Sequence, residues 1–168
     1  MGLPNPRKRK PRASEVVEWA KHVAKKKIPI DLPGSGGGPQ CWDLPNYILE
    51  KYWGFRTWGN ANAMAQRANY RGRKFKIYRN TKNFVPKPGD WGVWTGGWAG
   101  HVNIVVGPCT KDYWYGVDQN WYTNNSTGSP PYKIRHTYSD GPGGVRYFVR
   151  PPYAPEIKKP SPKPSDND

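Results

Sequence analysis

Along this chain the apolar pattern changes period once, and that change limits the fold more than any other feature. Before residue 60 apolar residues recur at helical spacing; from Trp91 onward they form short β-branched and aromatic runs cut by glycine and proline. Val16, Val17, Ala20, Val23 and Ala24 predict a helix from a Ser14 cap to about Lys27, with Glu15 and Glu18 in its first turn and Lys25 to Lys27 in its last. Residues 31–40 hold two prolines and four glycines and read as a loop. Leu44, Ile48, Leu49 and Tyr52 predict a second helix over Cys41 to Tyr52, with Pro45 in the first turn, where its missing N–H costs little. Five runs then read as strands of an antiparallel sheet: Trp91 to Thr95, His101 to Val106, Tyr113 to Trp121, Lys133 to Thr137 and Arg146 to Arg150. Helices first and strands after predict an α+β fold, its N-terminal helices packed against the sheet.

Composition narrows the reading further. A net charge of +15 and a mean hydropathy of −0.94 would suit a disordered chain, but nine Trp, eleven Tyr and four Phe provide large groups to bury. At 168 residues this is one domain. No apolar run approaches the roughly 20 residues of a membrane span, and no apolar stretch follows the basic N-terminus as in a signal peptide. Residues 1–13 read as a basic arm, 14–153 as the domain, and 154–168, rich in Pro, Lys and Ser, as a linker toward a further domain. Two cysteines and three histidines are too few for the usual structural zinc clusters.

Reactive chemistry is nonetheless available. A cysteine at the N-terminal end of a helix beside an imidazole is readily ionised, and Cys41 is so placed. His101 opens a rigid apolar run, and Gly96, Gly97 and Gly100 before it allow a second chain to approach closely, as in a cleft wall. Asp118 and Asn120, two apart on a strand, share a face, and either could orient the imidazole. The Cys41 N–H and the Gln40 side chain are the candidate oxyanion donors. Each residue taken singly has a plainer reading as core or strand-end polar group, and only the conjunction carries weight. His22 and His136 read as structural or solvated, and Cys109 as an inert thiol.

The segments Gln40-Cys-Trp-Asp-Leu44, Arg56-Thr-Trp-Gly-Asn-Ala61, Pro88-Gly-Asp90, Gly100-His-Val102 and Asp118-Gln-Asn-Trp121 follow one another as in a CHAP domain, a cysteine, histidine-dependent amidohydrolase/peptidase. The resemblance spans roughly residues 14–153. It further resembles the N-terminal module of virion-associated peptidoglycan hydrolases of staphylococcal phages. It implies a papain-like α+β fold of the NlpC/P60 type. Cys41 would be the nucleophile, His101 the base and then the acid, and Asp118 with Asn120 the orienting groups, although relatives most often carry Glu in place of Asp118.

The resemblance also implies a tail-associated protein of the phage particle that acts on the extracellular bacterial cell wall. The implied cut is a peptidoglycan amide bond, favoured as D-alanyl-glycyl, with the N-acetylmuramoyl-L-alanine bond as the alternative. A non-catalytic wall-binding module is the further alternative. Trp42, Trp58, Trp94, Trp98 and Trp121 are candidates for a substrate groove, each also a candidate for core packing. The resemblance implies no required cofactor and leaves calcium open as an added ligand at Asp31 and Asp43. Calcium-binding relatives use carboxylates before the cysteine; Asp43 matches one such position and Asp31 lies near another, but calcium takes six to eight oxygens. The positive charge, including Arg67, Arg71, Arg73, Lys74, Lys76 and Arg79, suits attraction to anionic wall polymers. No nucleic-acid recognition motif accompanies it. The expected state of the isolated domain is a monomer bound to neither nucleic acid nor membrane.

Overall fold

The computed structural model describes residues 2–122 and 125–158. Helix α1 (Ala13–Lys26) and helix α2 (Asp43–Trp53) precede six strands: β1 (Lys76–Arg79), β2 (Trp91–Trp94), β3 (His101–Cys109), β4 (Trp114–Gln119), β5 (Pro131–His136) and β6 (Val145–Arg150). The strands form one antiparallel sheet in the order β1-β6-β2-β3-β4-β5. This is the expected α+β arrangement, and among the described residues no helix is long and apolar enough to cross a membrane.

Helix α1 buries the predicted stripe of Val16, Val17, Ala20, Val23 and Ala24. Its cap is Arg12, so it starts two residues earlier than a Ser14 cap predicts. Glu15 decides this: its carboxylate accepts the Arg12 N–H at 2.8 Å and pairs with both terminal nitrogens of Arg9 at 2.7 and 2.9 Å. Ser14 lies inside the first turn and donates its hydroxyl to Glu156. Helix α2 begins two residues later than predicted, so Cys41 sits on the turn that enters it, where the Asp43 N–H bonds the Gln40 carbonyl. It buries Leu44, Ile48, Leu49 and Tyr52 as expected and ends on Gly54 with φ 81°.

Residues 2–12 lie against the domain. The Tyr52 hydroxyl donates to the Pro4 carbonyl, Lys10 Nζ donates to the Tyr52 carbonyl, and Arg12 bridges to Ala154. Of the predicted 154–168 linker, residues 159–168 fall outside the described residues.

Strand β1 has no counterpart among the predicted strands. It lies within the basic run at the edge of the sheet, and Lys76 and Arg79 at its ends are exposed, so its charges hide its apolar alternation. The main core lies between the helices and the sheet. A second, aromatic core of Trp94, Val105, Trp114, Val145 and Phe148 is partly covered by Phe84, Trp121 and Tyr138.

Candidate active site

Two tethers fix the turn that carries Cys41. Asp43 is fully buried, and its two carboxylate oxygens accept the N–H groups of Leu32 and Gln40 at 3.1 and 2.9 Å. Gln119, also buried, donates to the carbonyls of Ile30 and Gln40 at 2.8 and 2.7 Å and accepts the Ile30 N–H at 2.8 Å. Gln119→Leu removes all three bonds at once. It is expected to lower stability by about 2–4 kcal/mol in urea denaturation, because the backbone groups left behind lose their partners.

His101 begins β3 and is buried. Its Nε2 donates to Asp118 Oδ2 at 2.7 Å, and the sulfur of Cys41 lies near enough to act on the same ring. Burial opposes charge on this ring, but the sulfur of Cys41 and the bond to Asp118 outweigh it and raise its pKa to about 10. Burial would likewise keep Asp118 neutral, yet two imidazoles bring its pKa down to about 2.

Those imidazoles are His101 and His136. His136 Nε2 bonds Asp118 Oδ1 at 2.8 Å, and its Nδ1 meets Asp140 Oδ2 at 2.9 Å. Asn103 Nδ2 also donates to Asp118 Oδ1, at 3.1 Å, while its own Oδ1 accepts the Gly92 N–H. Glycines on the two flanking strands make room for Asn103: a Cβ at Gly116 would lie 2.2 Å from Asn103 Nδ2 and 3.2 Å from Asp118 Oδ1. Gly116→Ala is therefore expected to cost about 1–3 kcal/mol in thermal or urea denaturation, through displacement of Asn103.

Asn120 lies past the end of the strand, off the face it would share with Asp118. The strand ends at Gln119 and Asn120 has φ 58°, so alternation no longer places it with Asp118. Its Nδ2 binds Gln40 Oε1 at 2.6 Å and the Asn125 carbonyl at 2.9 Å. The Gln40 side chain is thereby turned from the predicted oxyanion role, since its Nε2 donates to the carbonyls of Gly37 and Asn125. The Cys41 N–H has no hydrogen-bond partner among the described residues.

A cleft of about 350 Å³ opens beside this group, walled by Gly96 to Gly100 and lined also by His101, Asn120, Trp121 and Pro142. The glycines permit the close approach read from the sequence: a Cβ at Gly96 would lie 2.3 Å from the Pro142 carbonyl oxygen, and one at Gly100 2.3 Å from that of Trp94. Of the five candidate groove tryptophans, Trp98 and Trp121 line the cleft, and Trp98 is 85% exposed. Trp94 is a correction: it is wholly buried in the aromatic core and its Nε1 donates to the Asp140 carbonyl. Trp42 packs against the main core, and Trp58 is exposed outside the cleft.

The cysteine, histidine and carboxylate thus meet in space in the order the motifs have in sequence. The sequence profile of the CHAP domain matches residues 32–120, more than half of the chain. The chain belongs to the CHAP domain family. Endolysin PlyTW of Staphylococcus phage Twort is 36% identical over 146 residues, which cover 78% of this chain and 30% of that protein. Endolysin LysK of Staphylococcus phage K is 33% identical over 122 residues, 67% of this chain and 22% of that protein. The chain therefore spans less than a third of the curated relatives it matches. Among solved structures, the endolysin LysIME-EF1 superposes with a TM-score of 0.69 at 27% identity, over 84% of this chain and 65% of that one. Ly7917 superposes at 0.62 with 12% identity, over 84% and 62%, which shows the fold alone.

In this CHAP domain the loop before the cysteine is a poor fit for calcium. Both Asp43 oxygens already accept backbone N–H groups, Asp31 is exposed, and glycines occupy much of the stretch between them. Among the described residues no three His, Cys, Asp or Glu side chains cluster as a metal site. Cys109 is half-buried and burial raises its thiol pKa to about 11, in keeping with an inert thiol. His22 is exposed on α1. His136 is buried, as a structural histidine is, and it stands against Asp118, a place that nothing near it in sequence marks.

Proposed function

We propose that this CHAP domain hydrolyses an amide bond of peptidoglycan through Cys41, with D-alanyl-glycyl as the preferred bond. The observation that carries the reading is His101, hydrogen-bonded to Asp118 and acted on by the sulfur of Cys41, at the edge of a glycine-walled cleft. With its pKa raised, His101 holds a proton at neutral pH and faces the sulfur of Cys41. The thiolate attacks the substrate carbonyl, and the Cys41 N–H, without a partner among the described residues, steadies the oxyanion. His101 then protonates the departing amine, and a water, deprotonated by His101, cleaves the thioester to restore the thiol pair.

A glycine-walled cleft lined by Trp98 and Trp121 leaves room for a slender glycine-rich peptide, which supports the cross-bridge as substrate. Mass spectrometry of digested staphylococcal peptidoglycan tests this. New N-terminal glycine is the expected product; new N-terminal L-alanine would replace the endopeptidase by an amidase, and undigested polymer would remove the hydrolase reading.

No metal takes part in these steps. Dialysis against EDTA is expected to leave the rate of wall lysis unchanged, and a loss that calcium restores would overturn that expectation. Arg67, Arg71, Arg73, Lys74, Lys76 and Arg79 are all exposed, which supports anionic wall polymers as a second, salt-sensitive contact. We propose further that the domain acts from the phage particle, and detection of the chain in purified virions tests that placement.

A further inference from the structure

The hydrogen bonds of the site continue beyond Asp118. A carboxylate oxygen only accepts, and a neutral imidazole offers one N–H. His136 has carboxylate oxygens at both ring nitrogens, Asp118 Oδ1 at 2.8 Å and Asp140 Oδ2 at 2.9 Å, so both bonds exist together only when the ring carries two protons. The ring is wholly buried. The charged groups facing it are Asp118 from β4, Asp140 from the turn after β5 and, across Asp118, His101 from β3. Trp94, Trp114 and Trp121 close its remaining sides, with centroids 5.2, 4.7 and 4.7 Å away. Asp140 Oδ1 is buried without a partner among the described residues, so His136 is the group that answers its charge.

We infer that His136, kept protonated by Asp140, is a positioning residue for the hydrolysis: it occupies Asp118 Oδ1, leaves Oδ2 aimed at His101, and shares the charge of Asp118 between two rings. The inference rests on the cysteine-hydrolase reading above. Sharing matters because His101 must release its proton to the leaving amine, and a carboxylate whose whole charge bears on one imidazolium holds that proton too firmly. The burial of both rings works against their charge, and the carboxylates between and beyond them overcome it.

The test compares Asp140→Asn, His136→Gln and His136→Ala with the unaltered chain. Rates on purified peptidoglycan are measured against pH, together with alkylation of Cys41 by iodoacetamide, which needs no substrate. Removing the outer carboxylate makes His136 lose its proton at lower pH. In Asp140→Asn the alkaline limb of kcat, set by His136, is therefore expected to move down by about one pH unit with KM unchanged, while the upper transition of alkylation, set by His101, moves up, because Asp118 then bears on that ring alone. Glutamine keeps a donor for Asp118 but no charge, so His136→Gln is expected to lose about 10-fold in kcat and His136→Ala about 100-fold. Both profiles unshifted in Asp140→Asn, with wild-type kcat in His136→Ala, would overturn the inference. Asp140 is 30% exposed, so its variant serves even where a His136 variant does not fold. A chain that leaves peptidoglycan intact overturns the hydrolase reading instead, and the alkylation profile still decides the role of His136.

Discussion

Cys41→Ala is expected to lower the rate of wall lysis by roughly 10³-fold or more while leaving the stability of the domain within about 1 kcal/mol of the unaltered chain. The asymmetry follows from where Cys41 sits. It stands half-buried on the turn before α2, and the groups that hold that turn are the carboxylate of Asp43 and the amide of Gln119. Its sulfur contributes little to the fold. Chemically no other group can replace it: Cys109, the second thiol, lies at the far end of β3 from His101 with its pKa raised. Cys41→Ser should be almost as inactive, because a hydroxyl beside the same imidazole ionises far less readily than a thiol. Turbidity loss of purified staphylococcal walls, with urea denaturation as the control, reads both quantities. Lysis by Cys41→Ala at the unaltered rate would end the nucleophile assignment.

The cysteine, its histidine and the glycine wall were legible in sequence because each depends on local geometry. A helix start, the first residue of an apolar strand and a run of glycines are all written within a few residues. The failures are tertiary. Asp118 and Asn120 share a face only while the strand continues, and it stops between them. Gln40 has the right chemistry for an oxyanion donor, but Gly37, Asn120 and Asn125 take up its side chain, and Asn120 and Asn125 come from 80 or more residues away.

His136 could have been found. In Lys133-Ile-Arg-His136 charged residues alternate with Ile134 and His136, and a period of two puts the histidine on the buried side with the isoleucine, as the strand's burial shows. A buried histidine needs a partner, but nothing in the sequence says that the partner is Asp118, which reaches both rings because β4 lies between β3 and β5. The same holds for Asn103, whose place is prepared by glycines on β2 and β4. The motif segments around Thr57 and Asp90 prove to be framework. Asn46 bonds Thr57 through backbone and side chain, and Asp90 pairs with Arg150 at 2.8 and 2.9 Å.

Asp118→Asn is expected to be the most damaging single substitution for stability, by about 3–5 kcal/mol at pH 7, and to lower lysis by roughly 10²-fold or more. The carboxylate is wholly buried and accepts from two imidazoles and Asn103. An amide in its place has one acceptor oxygen and no charge, so at least one ring donor loses its partner and two buried cations lose the anion between them. The pH dependence distinguishes this from simple loss of packing. In the unaltered chain Asp118 titrates lower when folded, near 2 rather than 3.8, so its contribution is present above pH 3.8 and disappears as pH falls toward 2. His101 and His136 titrate higher when folded, near 10 and 9 rather than 6.5, so theirs is complete below pH 6.5 and is lost as pH rises through 9 and 10. Stability measured in urea should therefore be greatest between about pH 4 and 6.5 and decline on both sides. Asp118→Asn takes away the share of the acid-side loss that Asp118 carries, leaving that of Glu15, whose pKa the Arg9 hydrogen bond brings down to about 2, and it shrinks the alkaline loss, because one of the groups that raised each histidine is gone. A variant destabilised equally at every pH from 4 to 10 would mean that the residue fills space there and does not hold the two rings by its charge.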